Sequence, residues 1–249
     1  MSDNETSGLS RRDLMKKGGL FAAASALGQF PAPAVWAAEE KVLRYLGTAV
    51  NQSDDITKKV KADLGITIQN IVATTDDVTK RVITQPNSFD ILDTEYFSLK
   101  KLVPSGNILA MDAKKIKEFD NITPVFTKGQ LPNGKVIGDQ GTAPKKVMFV
   151  DGEHSTKFAK GVTEWVTLIP TVYNADTLGI RPDLIKRPIN SWAELLNPEF
   201  KGKAAILNIP SIGIMDAAMV VEATGKYKYP DKGNMTKAEI DLTMKVLTE

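Results

Sequence analysis

Cysteine is absent from all 249 residues. That excludes disulfides, thiolate metal sites, iron–sulfur clusters and a cysteine nucleophile together. Histidine occurs once, as His154, so a His-rich metal centre is excluded and any imidazole catalysis rests on one residue. A charge excess is missing too. Lys plus Arg number 32 and Asp plus Glu 30, a net charge of +2, which argues against a dedicated nucleic-acid binder. No apolar run approaches the ~20 residues that a membrane-spanning helix needs. What remains is ordinary globular material, 42% hydrophobic and 25% charged, long enough for one or two domains with a real core.

The first 37 residues read as an address. Ser10-Arg11-Arg12-Asp13-Leu14-Met15-Lys16-Lys17 supplies a basic start. A Gly/Ala-rich apolar run follows from Gly18 to Gly28, then Pro31, Pro33 and small residues around Trp36. This is the basic, apolar, small-residue order of a cleavable export signal. The paired arginines and the weak apolar run resemble a twin-arginine (Tat) signal. A plain secretory signal or an N-terminal amphipathic helix are the alternatives. The expectation is export through the Tat translocase to the periplasm.

The rest alternates strand and helix. Lys41–Leu46 is β-rich and ends at Gly47-Thr48. Ile56, Val60 and Leu64 recur every fourth residue, a helix stopped by Gly65. Ile66–Ile71 alternates as a strand. Asp76 or Asp77 is placed to cap a helix carrying Val78 and Val82, which Pro86 ends. Phe89–Leu92 reads as a buried strand, and Tyr96, Leu99 and Leu102 as a helix running to Gly106. Such alternation predicts βαβ units and a mainly parallel sheet, with ligands beyond the carboxyl ends of the strands. The loops so marked are Gly47–Asn51, Ala73–Asp77 and Asp93–Tyr96. Residues 120–160 are rich in Gly and Pro, with room for a hairpin or an insertion. Glu164–Asn174 is a long β-rich run. Ser191 with Glu194, and Thr236 with Glu239, each have the spacing of a capping box. Lys203–Leu207 reads as a strand, and Pro210 opens a helix ending at Gly225. The final helix has no terminator before Glu249, so the chain is expected to be C-terminally incomplete.

Tyr173-Asn174-Ala175-Asp176, followed by Ser191-Trp192-Ala193-Glu194-Leu195-Leu196-Asn197-Pro198-Glu199-Phe200-Lys201-Gly202-Lys203, resembles a block found in the extracellular solute-binding proteins of ABC transporters. The group in question contains the spermidine/putrescine-binding proteins. The resemblance covers roughly residues 40–249 and is strongest over 165–225. It implies an α/β, two-lobed periplasmic-binding-protein (type II) fold with mainly parallel sheets. The lobes would be 38–160 and 175–249, joined by a crossover at 161–174. The second lobe and the return to the first would be cut short. It implies capture of a small, polyamine-like solute between the lobes and delivery to a membrane permease. No catalytic residue, metal site, cofactor or nucleic-acid partner is expected.

The expected ligand-binding residues are Thr48, Glu95, Tyr96, Glu164, Trp165 and Ser211. Carboxylates pair with ammonium groups, and aromatic faces hold an aliphatic stem. Each has a plainer alternative. Glu95 suits a helix start through its charge, Tyr96 likewise has a structural alternative, and Trp165 suits hinge packing. Trp192 reads as core, Asp216 as solvated or structural, and His154 as an exposed loop residue. Two features depart from the polyamine group: no aromatic follows Leu46, and Asn208-Ile209-Pro210-Ser211 lacks acids. A helix start at Ser211 favours an anionic group instead. The same fold binding a ferric ion, a carboxylate or an amino-acid-like solute is therefore an alternative. A Tat-exported hydrolase is the rival from another class, without a Gly-x-Ser-x-Gly elbow or a metal-ligand cluster to support it.

Overall fold

The computed structural model describes residues 40–174 and 176–248. The leader expected at 1–37 lies outside them, as do Ala175 and Glu249. The structure is mixed α/β, with one small parallel and one small antiparallel sheet.

The parallel sheet forms where the alternation of elements places it. Strand β1 (Lys41–Gly47) leads through helix α1 (Asp54–Leu64) to strand β2 (Ile66–Val72), and the strands pair in parallel from Lys41 with Ile66 to Gly47 with Val72. Ser53 caps α1 by accepting from the Ile56 amide. Gly65 ends it in the left-handed conformation, at φ 67°, which other residues adopt only with strain. Although α1 is amphipathic in sequence, none of its residues is buried. Helix α2 (Thr75–Thr84) follows. Its cap is Thr74, whose hydroxyl accepts from the Asp77 amide, rather than Asp76 or Asp77. Those two acids occupy the first turn, where the helix dipole favours negative charge. Strand β3 (Ile91–Leu92) pairs on the other side of β1, giving the order β2-β1-β3. The expected strand over Phe89–Leu92 is thus only two residues long. Helix α3 (Leu99–Ser105) follows a 3₁₀ turn at Tyr96–Ser98. Leu46, Val78, Val82 and Leu102, all at 0% exposure, join β1, α2 and α3 into one apolar cluster.

The second sheet is antiparallel, which departs from the mainly parallel expectation. Strands β4 (Met111–Asp112), β5 (Phe149–Val150) and β6 (Trp165–Val166) pair in the order β4-β6-β5. The link 151–164 between β5 and β6 holds no helix. The chain doubles back there, whereas parallel pairing calls for a crossover. Short helices α4 (Pro124–Thr127) and α5 (Pro144–Met148) precede β5. The Gly/Pro-rich stretch does contain a hairpin turn, with Gln130 bridged to Val136. Phe126, Met148, Phe149 and Val166 form the core here.

From 167 to 212 no described residue is buried. Four expectations fail in this segment. The run Glu164–Asn174 is a strand only at Trp165–Val166. Lys203–Leu207 forms no strand, because apolar residues make a strand only when a neighbour supplies the ladder and a core covers one face. Ser191 accepts from the Ala193 amide, while Glu194, instead of closing the capping box, binds Arg187 through both oxygens at 2.9 and 2.8 Å. A bidentate charged pair outcompetes a single amide bond. Trp192 is half-buried rather than core.

Helix α6 (Pro210–Ala223) restores burial and packs on helix α7 (Lys237–Thr248) through Ala218, Val221 and Tyr229. The capping box expected at the start of α7 is present. The Thr236 amide donates to Glu239 Oε2 at 2.7 Å, and the Glu239 amide to Thr236 Oγ1 at 3.3 Å.

Candidate functional site

The three loops at the carboxyl ends of the parallel strands meet. The amides of Ala73 and Asp93 donate to the carbonyls of Gly47 and Leu46, at 2.9 and 2.8 Å. Asp93 Oδ2 accepts from the Tyr45 hydroxyl at 3.1 Å and from Asn51 at 3.0 Å. Asn51 also reaches the Thr171 hydroxyl at 2.9 Å. Burial, and then the charge of Asp93, push the Tyr45 phenol well above its usual range. Thr75 Oγ1 donates to Glu95 Oε1 at 2.7 Å, tying the start of α2 to the loop after β3.

Beside this junction lies a cleft of about 700 Å³. Its walls come from distant parts of the chain. Asp76 and Thr79 belong to α2, Tyr96 and Phe97 to the 3₁₀ turn, and Lys100 and Lys101 to α3. Gly138–Pro144 leads into α5. Asp176, then Ser211, Met215, Asp216 and Met219 of α6, and Lys232–Met235 complete the wall. Two backbone segments of that wall touch at glycines. Gly141 has φ 65°, and a Cβ there would come within 3.0 Å of Gly233 Cα. Asp231 Oδ1 accepts from both amides, Gly141 at 2.6 Å and Gly233 at 3.0 Å. A side chain at either glycine would force this seam apart.

Of the six expected residues, Tyr96 and Ser211 line the cleft. Tyr96 packs edge-on to Phe97 and Phe126, with centroids at 6.0 and 6.1 Å. Burial, with a contribution from Asp176, raises its phenol pKa. Ser211 is the second residue of α6, whose N-cap Ile209 offers no side-chain cap. Its hydroxyl is buried without a partner. The other four lie elsewhere. Thr48 is half-buried just past β1. Glu95 holds Thr75 through one oxygen, and its other oxygen is buried without a partner. Glu164 is exposed and paired with Lys114 at 2.5 Å. Trp165 packs against the cluster of Leu99, Val103, Ala110, Val147 and Val150.

One residue of the site escaped the sequence reading. Asp216 is 8% exposed, in a helix whose Gly213, Ala217, Ala218, Val220 and Val221 are also buried. Its side chain has no hydrogen bond or ion pair among the described residues, and Oδ1 is fully buried. Burial, and then the charge of Asp176, raise its pKa above the usual carboxylate value. An acid among Ile, Met and Ala was the available signal, since an apolar helix carries an unexplained charge only at a cost.

Of the three lysines that line the cleft, Lys101 has no hydrogen bond or ion pair among the described residues and the other two are engaged. Lys232 is held by Glu222 at 2.5 Å, and Lys100 reaches the Gly233 carbonyl at 3.3 Å. Among the described residues no group of three or more His, Asp or Glu side chains is placed to hold a metal ion. His154 is exposed, near Glu153. No described helix is long and apolar enough to cross a membrane.

Comparison with known proteins adds no family: no family model matches the chain, and a search of curated proteins returns no match.

Proposed function

We propose that this chain is a solute-binding protein of an ABC importer, capturing a small polyamine-like solute and passing it to a membrane permease. In this reading it acts in the periplasm after Tat export, has no catalytic activity, and uses a two-lobed type II fold whose lobes close on the solute. The observation that carries the reading is the cleft of about 700 Å³. Its volume falls within the ~300–1,000 Å³ usual for small-molecule sites. Tyr96 and Ser211, expected from the sequence to face solute, belong to its wall, and so do segments more than a hundred residues apart. Tyr96 and Phe97 offer aromatic faces for an aliphatic stem, and Asp76, Asp176 and Asp216 offer carboxylates.

A second reading within the same class has its own support. Helix α6 starts without a side-chain cap beside Ser211, and Lys100 and Lys101 border the cleft. Those features suit the carboxylate of an anionic or amino-acid-like solute.

The test is a thermal-shift screen of the full chain against polyamines, amino acids, small carboxylates and metal ions. A ligand at 100 times its Kd stabilises the native state by about 2.7 kcal/mol, a readily measured rise in melting temperature. Stabilisation by a polyamine supports the first reading, and stabilisation by a carboxylate or amino acid alone supports the second. No stabilisation by any solute overturns both.

A further inference from the structure

We infer that Asp216 is the counter-ion in the cleft, receiving an ammonium or guanidinium group of the solute. This rests on the solute-binding reading and sharpens it to one residue. Three observations converge on it. Asp216 belongs to the wall of the cleft, it is more than nine-tenths buried, and its side chain has no partner among the described residues. A carboxylate oxygen shut away from water without a partner, as Oδ1 is, costs free energy. Folded proteins retain such a group when something outside the chain completes it.

The nearby groups do not complete it. Asp176, which acts on Asp216 through space, has the same sign. Lys232 already pairs with Glu222. The hydroxyl of Ser211, buried and also unpartnered on the same helix, adds an acceptor for an N–H donor. A cation entering the cleft would therefore gain a carboxylate with one oxygen shut away from water and no competing bond to break.

A counter-ion and a structural acid respond oppositely to Asp216→Asn. If the acid is structural, its loss destabilises the protein. If it waits for a ligand, removing an unpaired buried charge leaves the free protein as stable or more stable, while binding suffers. The experiment is calorimetric titration of the full chain with putrescine and spermidine, with succinate as the anionic arm, alongside melting curves of the unliganded variants. We expect amine binding that weakens about tenfold or more in Asp216→Asn, partial retention in Asp216→Glu, and an unchanged or higher melting temperature for Asp216→Asn. Amine affinity unchanged in Asp216→Asn overturns the inference and leaves the solute-binding reading standing. So does a lowered melting temperature for Asp216→Asn, or binding of succinate with no binding of either amine. Failure of every solute in the wider screen removes the reading and the inference together.

Discussion

Residues 41–106 and residues 167–212 are built on different physics. The first holds a parallel sheet whose centre is closed off by Leu46, Val78, Val82 and Leu102, all at 0% exposure. The second has no buried described residue. Its order comes from surface polar contacts. Arg187 spans Glu194 and Glu199 at 2.8 and 2.9 Å, stacks over the Phe200 ring at 5.4 Å, and Asn197 adds a bond to Glu194 at 2.8 Å. Apolar burial is non-directional and largely indifferent to pH. A charged network is directional, screened by salt and dependent on protonation. One stretch should therefore fail only with the whole fold, and the other by itself.

The largest effect that separates them is a core truncation. Leu46→Ala leaves a cavity beneath β1, and such changes cost about 2–5 kcal/mol. Leu207, 49% exposed, is the matched leucine in the second region. Leu207→Ala should stay within about 0.5 kcal/mol of the parent, as surface substitutions do. Denaturant midpoints of the two variants measure the difference. Equal losses would mean that 167–212 is packed after all.

A smaller contrast concerns helix starts. The α7 box is reciprocal, with Thr236 and Glu239 each satisfying the other's amide. Thr236→Ala should cost about 1 kcal/mol. Ser191 caps only a 3₁₀ turn, through one bond at 3.2 Å, and Glu194 is committed to Arg187. Ser191→Ala should cost a few tenths at most, because an isolated 3₁₀ turn has little helix to lose. Thermal melts of the pair decide it. A loss at Ser191 equal to that at Thr236 would show that the turn organises more of the segment than its contacts suggest.

Legibility follows the same division. β1, α1 and β2 were readable because their signals are local: alternation, a four-residue apolar repeat, and Gly65 at the stop. The Thr236–Glu239 box was readable for the same reason. Lys203–Leu207 looked like a strand and is not, since a ladder needs a partner that no local pattern supplies. Glu194 satisfied the spacing of a box, but Arg187, seven residues away, made the stronger bond. In the cleft, Tyr96 and Ser211 were found from loop position. Asp216 was missed because a helical aspartate is usually solvated, and only the packing of α6 reveals that this one is not. Glu164 had the right chemistry for a cleft acid, yet its nearest cation is Lys114 on the surface.

The smallest effect is one of acid, and it weighs the charged network against a region closed by apolar burial. The Arg187 guanidinium, with help from Asn197, holds the Glu194 carboxyl down to about 2. An unfolded glutamate titrates near 4.3, so the folded pKa is depressed. A depressed carboxyl pKa contributes stability that is present above the unfolded value and lost as pH falls through the folded one. The network should therefore weaken between about pH 4.3 and pH 2. The 41–106 region carries one pair that titrates in the same window, Arg44 of β1 with Asp90, whose carboxyl is likewise held down to about 2. The residues that close its core are apolar, however, so it should lose less than a segment with no buried described residue. Limited pepsin digestion across this range should cut first within 167–212. Arg187→Met, which retains much of the stem but not the charge, should show those cuts already at the upper end of the range, with little further change on acidification. Cleavage appearing first in 41–106 would reverse the assignment of the weaker region.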